Sequence, residues 1–438
     1  MTLKRPTGGK RGLKIAGLSL DVAGSYLGYF VQRPFVDDKD AHLANAHARA
    51  GRRIRANMQE LRGPMMKLGQ MLSLQGGVLP DDLIAELSTL QMQAPGMHPS
   101  LVRAQFRASM RQNPESLFRK FDDEPFAAAS LGQVHRAVTP DGDRVAVKIQ
   151  YPGIRDAIAT DFKLLRAAAL PARASGHMPG SALTELERQI LAETDYVREA
   201  DNTESFRANL QPLGFVDVPR VYRKLSSERV LTMEMIDGEQ IESLLAHRPS
   251  QAQRDIIGAQ LVELLFFQIL RIGAFHADPN WGNYLFRPDS SIGLIDFGCV
   301  KHLDPRFVDH LREVYLYPGP RDSAEFRRLI AKRYELFDLK ASPATIEAFS
   351  TLSDGFYRRV YPPEPERDGD AIDFRDPELI RQYVRQCNAV TKSKGILPEY
   401  VLFARAEMGL YNTLHKLKAR VPMSAIVRRH LHPRTQRA

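Results

Sequence analysis

The sequence predicts an α+β fold in two lobes, helix-rich, preceded by a helical extension, and three observations carry this. Residues 144–149, ArgValAlaValLysIle, alternate as a strand does. Residues 229–238, ArgValLeuThrMetGluMetIleAspGly, read as a further strand ending in a glycine turn. Elsewhere long segments repeat apolar residues at threes and fours, and those around 343–361, 376–392 and 396–417 are punctuated by Pro362, Pro363, Pro365, Pro377 and Pro398. These late helices hold no second chemical constellation, so they enlarge the second lobe.

The chemistry sits between the strands and the late helices. HisAlaAspProAsnTrpGlyAsn occupies 276–283, and AspPheGly follows at 296–298. An HxD followed by four residues and Asn is the spacing of a kinase catalytic loop, which holds a base and a metal ligand on one turn. Asp278 would orient or deprotonate a hydroxyl, and Asn283 and Asp296 would hold magnesium against the phosphates of ATP. IleGlyLeuIle at 292–295 runs into Asp296 after the turn residues Pro288, Asp289, Ser290 and Ser291, as a short hairpin strand would. Asp-Phe-Gly alone is also a common turn; the ordered pair of motifs is the stronger signal.

Upstream, Ala146 and Lys148 share one strand face while Val145 and Val147 share the other. This suits a lysine that reaches the α/β-phosphates beside a small residue under adenine. An ordinary strand with a solvated lysine fits the same four letters. A helical pattern from about Ser181 to Asn209 carries LeuAlaGluThrAspTyrValArgGluAla at 191–200, with Asp195 and Glu199 on nearly one helix face and Glu193 rotated away. Glu199 is the candidate partner of Lys148, and a solvated acidic face is the alternative for Glu193 and Asp195. In the strand at 229–238, Met233 would be the gatekeeper, with the Glu234 carbonyl and the Ile236 amide meeting the adenine edge. Val134 and Ala146 would cover its face.

Residues 39–94 form the helical extension, where Met58, Leu61, Met65, Leu68 and Leu72 recur at threes and fours. Lys67 and Gln70 lie beside that stripe, which on its own also describes a packing helix with a solvated lysine. Boundaries follow: a basic, weakly apolar segment at 1–38, the extension at 39–118, a first lobe at 119–237 and a helical second lobe at 238–438.

At 43% hydrophobic and 26% charged residues the chain has ordinary globular usage. With Cys299 and Cys387 as its cysteines it implies no disulfide framework, and a reducing cytoplasm is the simpler context. The net charge of +9 is concentrated in part at Lys4, Arg5, Lys10, Arg11 and Lys14, which precede a moderately apolar stretch at 15–31. Asp21, Ser19 and Ser25 make that stretch a poor transmembrane span. Peripheral attachment to an anionic membrane surface and a flexible end followed by a packed helix fit it equally. No recognition module or aromatic-basic stripe points to nucleic acid.

Four marks, LysLeuGlyGln at 67–70, AlaAlaAlaSerLeuGlyGlnVal at 127–134, GluThrAsp at 193–195 and the HisAlaAsp/AspPheGly pair already described, give the chain its resemblance. Over about residues 50–315 it is similar to the UbiB-like atypical kinases, also called the aarF-domain or coenzyme-Q-biosynthesis kinase family. The resemblance implies a protein-kinase-like fold binding ATP and Mg2+, with ubiquinone or another isoprenoid lipid as the metabolic setting. It implies that Ala127, Ala128, Ala129 and Ser130 form an alanine-rich nucleotide loop in place of a glycine-rich one, biasing the family away from protein phosphorylation. Read physically, Ala127, Ala129 and Gly132 fall where GxGxxG places its glycines, and each Cβ restricts backbone approach to phosphate; the same alanines would also suit a turn of helix. The resemblance further implies that the KxGQ segment folds over the nucleotide cleft, with Glu193 and Asp195 engaging Lys67. Asn280 stands where protein kinases carry a lysine, and no AlaProGlu follows AspPheGly. The expected activity is ATP hydrolysis or phosphorylation of a small lipid or isoprenoid molecule. A non-catalytic, nucleotide-dependent scaffold or chaperone for a lipid-pathway complex is the alternative, and a protein kinase the third reading.

Overall fold

Val145, Val147 and Ile149 leave their strand on one face, and burying them organises the first part of the molecule. The computed structural model describes residues 97–129, 131–168, 184, 187–188, 190–277, 281–362, 369–391 and 397–431. Lys67, Gln70, Ser130, Asp278 and the 1–38 segment lie outside the described residues. Those described fall in two compact units, one within Met1–Asp201 and Arg220–Met235, the other within Asn202–Pro219 and Ile236–Ala438.

The first unit holds an antiparallel sheet of β1 (Lys120–Phe121), β2 (Ala127–Ala129), β3 (Gly132–Val138), β4 (Arg144–Gln150) and β5 (Val230–Glu234). Its order is β1-β3-β4-β5, and β2 folds back on β3. One face is covered by α1 (Pro99–Met110), whose Val102 and Phe106, four apart, pack with Phe118 on Val145, Val147, Ile149 and Val230. Proline at the first position of α1 costs no hydrogen bond there, and the His98 side chain accepts from the Ser100 N–H. A second helix, α2 (Ile154–Ala168), follows β4.

The helix expected over 181–209 is interrupted, which corrects the sequence reading. Residues 193–195 form a turn, and α3 begins only at Tyr196, spanning Tyr196–Leu210. Gln150 of β4 donates to the Thr194 carbonyl at 2.8 Å, so a tertiary bond takes a backbone acceptor that an unbroken helix would have used. Asp195 consequently does not share a helix face with Glu199. It caps α3, its Oδ1 accepting the Arg198 N–H at 3.0 Å.

In the second unit α4 (Gln251–Phe267) runs on as a π-helical turn, Gln268–Ile272, and stops at Gly273, whose φ of 72° suits glycine. Gly258 lets α4 pack tightly, since a Cβ there would lie 2.7 Å from that of Ala419. Around it stand α5 (Pro305–Leu316), α6 (Ala324–Glu335), α7 (Pro343–Leu352), α8 (Pro377–Thr391), α9 (Pro398–Leu417) and α10 (Met423–Leu431). Pro377 and Pro398, which the sequence offered as punctuation, are the first residues of helices, where their missing N–H is not needed. Among the described residues no helix is long and apolar enough to cross a membrane.

Candidate functional site

In the first unit the alternation of β4 places Lys148 opposite its apolar side, 7% exposed. Its Nζ donates to both Glu199 oxygens, at 2.7 and 2.9 Å, and Glu199 is 1% exposed. The Tyr196 ring lies beneath the ammonium, 5.1 Å away, so the lysine is held by a carboxylate and an aromatic face together. Both groups are out of water, and removing either would strand a buried charge, a change that costs about 3–5 kcal/mol. Sequence reasoning did not single out Tyr196; its place one residue after a cap and three before Glu199 was the available signal.

β2 makes the alanine segment a strand, with Ala127 opposite Val134, Ala128 opposite Gln133 and Ala129 opposite Gly132. The alternative of a helical turn is therefore excluded. None of these alanines has positive φ, so their backbone needs no glycine. Gly132 does need to be glycine, for a different reason: a Cβ would drive into the Ile149 carbonyl and come within 3.0 Å of the Tyr196 hydroxyl. Gln133 is tied down as well, accepting the Met97 N–H at 2.6 Å and contacting His135 at 2.7 Å. Burial lowers the His135 pKa, so the ring stays neutral, donating from Nδ1 to the Asp122 carbonyl and accepting from Gln133.

Ala146 pairs with Met233 across β4 and β5, and Met233 is buried with Tyr196, Ala200, Val221 and Leu231. Val134 and Ala146 are half-buried. Glu234 and Ile236 flank the point where the chain passes from the first unit to the second. Glu193 is buried, whereas Asp195 is exposed, so these two acids are not one solvated face.

In the second unit two local pairings order the segments that carry Asn283 and Asp296. The strand Tyr284–Phe286 pairs antiparallel with Ile292–Leu294, and the Ile295 N–H extends the ladder to the Asn283 carbonyl at 3.1 Å. Asn283 precedes the first strand and Asp296 follows the second, so they stand at the same end of the hairpin. Its tip is closed by Asp289, which accepts from the Ser291 N–H at 2.9 Å, and by Ser290 in the left-handed region at φ 69°. A second pairing sets Ala274–His276 against Val300–His302, and the Ala277 N–H reaches the Cys299 carbonyl at 2.9 Å.

Asp296 Oδ1 accepts the Gly298 N–H at 2.9 Å, and Phe297 is fully buried against Phe206 and His276. The Asn202 amide donates to the Phe297 carbonyl at 3.0 Å, and Gln268 accepts the His276 N–H at 2.9 Å. Neither Asn202 nor Gln268 was legible as a site residue, because each acts on a backbone group. Asn283 is buried, and its Nδ2 has no hydrogen-bond partner among the described residues. Asn283 and Asp296 offer hard oxygen donors but fewer than a closed cage needs, and no cluster of three or more ligating side chains occurs among the described residues. That donor set fits Mg2+, which keeps waters and phosphate oxygens as its other ligands.

A family model described as the ABC1 atypical kinase-like domain matches residues 89–329. The chain belongs to this family. Among ABC1-family relatives, atypical kinase COQ8, mitochondrial, of Saccharomyces cerevisiae is 33% identical over 62% of this chain and 54% of its own length. Atypical kinase COQ8B, mitochondrial, of Rattus norvegicus is 32% identical over 69% and 58%. The uncharacterized protein sll1770 of Synechocystis is 31% identical over 83% and 65%. The chain thus spans only about a third to two thirds of the curated relatives it matches. A solved structure titled as the complex of Rv3197 and erythromycin from Mycobacterium tuberculosis aligns with a TM-score of 0.63 at 26% identity, over 90% of this chain and all of that one. The two-lobed, kinase-like α+β fold and the membership of the atypical kinases both follow.

Proposed function

We propose that this ABC1-family chain binds ATP with Mg2+ and hydrolyses it or transfers its phosphoryl group to a small lipid or isoprenoid molecule, in support of ubiquinone or related metabolism. The buried Lys148–Glu199 pair is the observation that carries this, because a lysine fixed by a carboxylate and kept out of solvent is the arrangement that sets an ammonium in place for a phosphate. Asn283 and Asp296 would hold the metal, which when bound neutralises developing charge on the phosphates. Asp278 would orient the attacking oxygen and accept its proton. Ala127, Ala128, Ala129 and Ser130 would lie over the phosphates, with Val134, Ala146, Met233, Glu234 and Ile236 forming the adenine seat. Lys67 and Gln70, with Glu193 and Asp195, would restrict access by large acceptors.

A small acceptor is favoured over a peptide by Asn280 in place of a lysine and by the missing AlaProGlu. The solved relative's title, which names erythromycin as its ligand, supports the same size class. A scaffold that binds nucleotide without turnover is the second reading, favoured by the alanine loop. Phosphate release from purified protein, with and without lipid extract and beside Asp278→Asn, separates the two. Release that depends on Asp278 supports the enzyme, and equal release by the variant, or none from either protein, rejects it.

A further inference from the structure

A cavity of about 20 Å³ lies inside the helical second unit, walled by Leu311, Val314, Phe349 and Phe403, and two arginines line it. Arg321 and Arg333 are each 2% exposed. Arginine is rarely buried to this degree without a carboxylate, because desolvating its charge is costly unless an anion compensates.

Neither guanidinium has that compensation. Arg333 donates from Nε to His310 Nδ1 at 3.2 Å and otherwise meets the rings of Phe349 at 5.2 Å and of Phe307 and Tyr400 at 5.7 Å. His310 cannot serve as a counter-ion: its Nε2–H is committed to the Leu329 carbonyl at 2.7 Å, and burial, aided by Arg333, pushes its pKa down to about 3. Arg321 donates to the carbonyls of Ser353 at 3.4 Å and Tyr361 at 3.2 Å, both neutral. Arg321 Nε and Arg333 Nη1 are buried without a hydrogen-bond partner among the described residues.

The neighbouring acids are engaged elsewhere. Asp354 pairs with Arg358 at 3.4 Å. Glu407 accepts from Tyr357, from Tyr383 at 3.2 Å and from Tyr411 at 2.9 Å, and burial lifts its pKa to about 7, so it supplies at most part of a charge. The site therefore combines a small cavity, two buried cations and spare N–H donors.

We infer that this cavity is a binding site for one small monovalent anion, a halide or the carboxylate end of a small acid, held by Arg321 and Arg333. Its size admits a water-sized occupant, which suits chloride or formate and excludes a phosphate ester with its substituent. The anion would act as a structural element of the helical unit, lying outside the residues assigned to nucleotide and metal.

The test uses the full chain, exchanged into sodium gluconate, whose anion is too large to enter. Thermal unfolding is followed while chloride, bromide or formate replaces gluconate at constant ionic strength. A saturable rise in Tm of at least about 2–4 °C with halide or with formate is expected, and the arm that responds identifies the source. The rise should vanish in Arg333→Met. Equal Tm in all salts, or a saturable rise that survives in Arg333→Met, overturns the site. Because that variant loses a buried residue and is at risk of not folding, wild-type crystals soaked in bromide give an independent reading. An anomalous peak inside the cavity supports the proposal, and a cavity that stays empty in crystals soaked in saturating bromide and, separately, in saturating formate overturns it.

Discussion

A single ammonium group, that of Lys148, illustrates how the chain spends its charged residues. It is shielded from solvent, doubly bonded to Glu199 and stacked on Tyr196, so its position is set before any phosphate is considered. Glu199→Gln should weaken ATP binding at least tenfold and lower Tm, because the buried cation keeps its charge and loses its partner; calorimetric titration and thermal unfolding read the two effects separately. Asp296→Asn should reduce Mg2+-dependent ATP affinity by a similar factor while leaving Tm near wild type, since the variant still accepts from Gly298. Wild-type affinity in either variant would remove that residue from the site. At Ala129, which pairs with Gly132 in extended backbone, glycine should cost about 0.5–1 kcal/mol of stability while changing nucleotide selectivity. Unchanged ATP and ADP binding in the folded Ala129→Gly protein would mean that β2 does not lie over the phosphates.

At the level of helices and strands, legibility tracked whether a residue acts through its own pattern or through a distant backbone. β4 and the strand at 292–294 were readable, because alternation and flanking turn residues are local. The break before α3 was not, since LeuAlaGluThrAsp has adequate helix propensity and the deciding bond comes from Gln150, some forty residues upstream. The same holds for Asn202 and Gln268, whose partners are main-chain groups of the AspPheGly and HisAlaAsp segments. Asp195→Ala should cost about 1 kcal/mol by uncapping α3. If that cap also steadies Glu199, ATP affinity falls in parallel, whereas unchanged affinity at lowered Tm would confine Asp195 to a structural role. In the late helices, His310 and Glu407 give opposite pH slopes. His310 has its folded pKa depressed from 6.5 to about 3, so its contribution is present above pH 6.5 and is lost as pH falls towards 3. Glu407 has its folded pKa raised from 4.5 to about 7, so its contribution is full below pH 4.5 and is lost as pH rises through 7. Glu407→Gln should flatten the decline between pH 4.5 and 7, as judged by Tm against pH, and an unaltered profile would assign that slope to other groups.

Taken as a whole, the molecule is a basic chain whose charge excess is partly concentrated before residue 15, and whose described helices include none able to span a bilayer. If the first residues hold an anionic surface, the full chain should sediment with anionic liposomes, release as salt rises and lose most of the association when residues 1–31 are deleted. Equal sedimentation of the two proteins would discard that anchor. The paired segments between Ala274 and His302 carry a different consequence, one of time. Asn283 and Asp296 are joined by a short hairpin, so little loop entropy opposes their meeting, whereas the bond between Lys148 and Glu199 closes 51 residues. A hairpin of that kind forms in roughly 1–10 μs. During folding, the hairpin end that carries Asn283 and Asp296 would therefore come together well before the longer loop between Lys148 and Glu199 closes, so the two halves of the chemistry are assembled at different times.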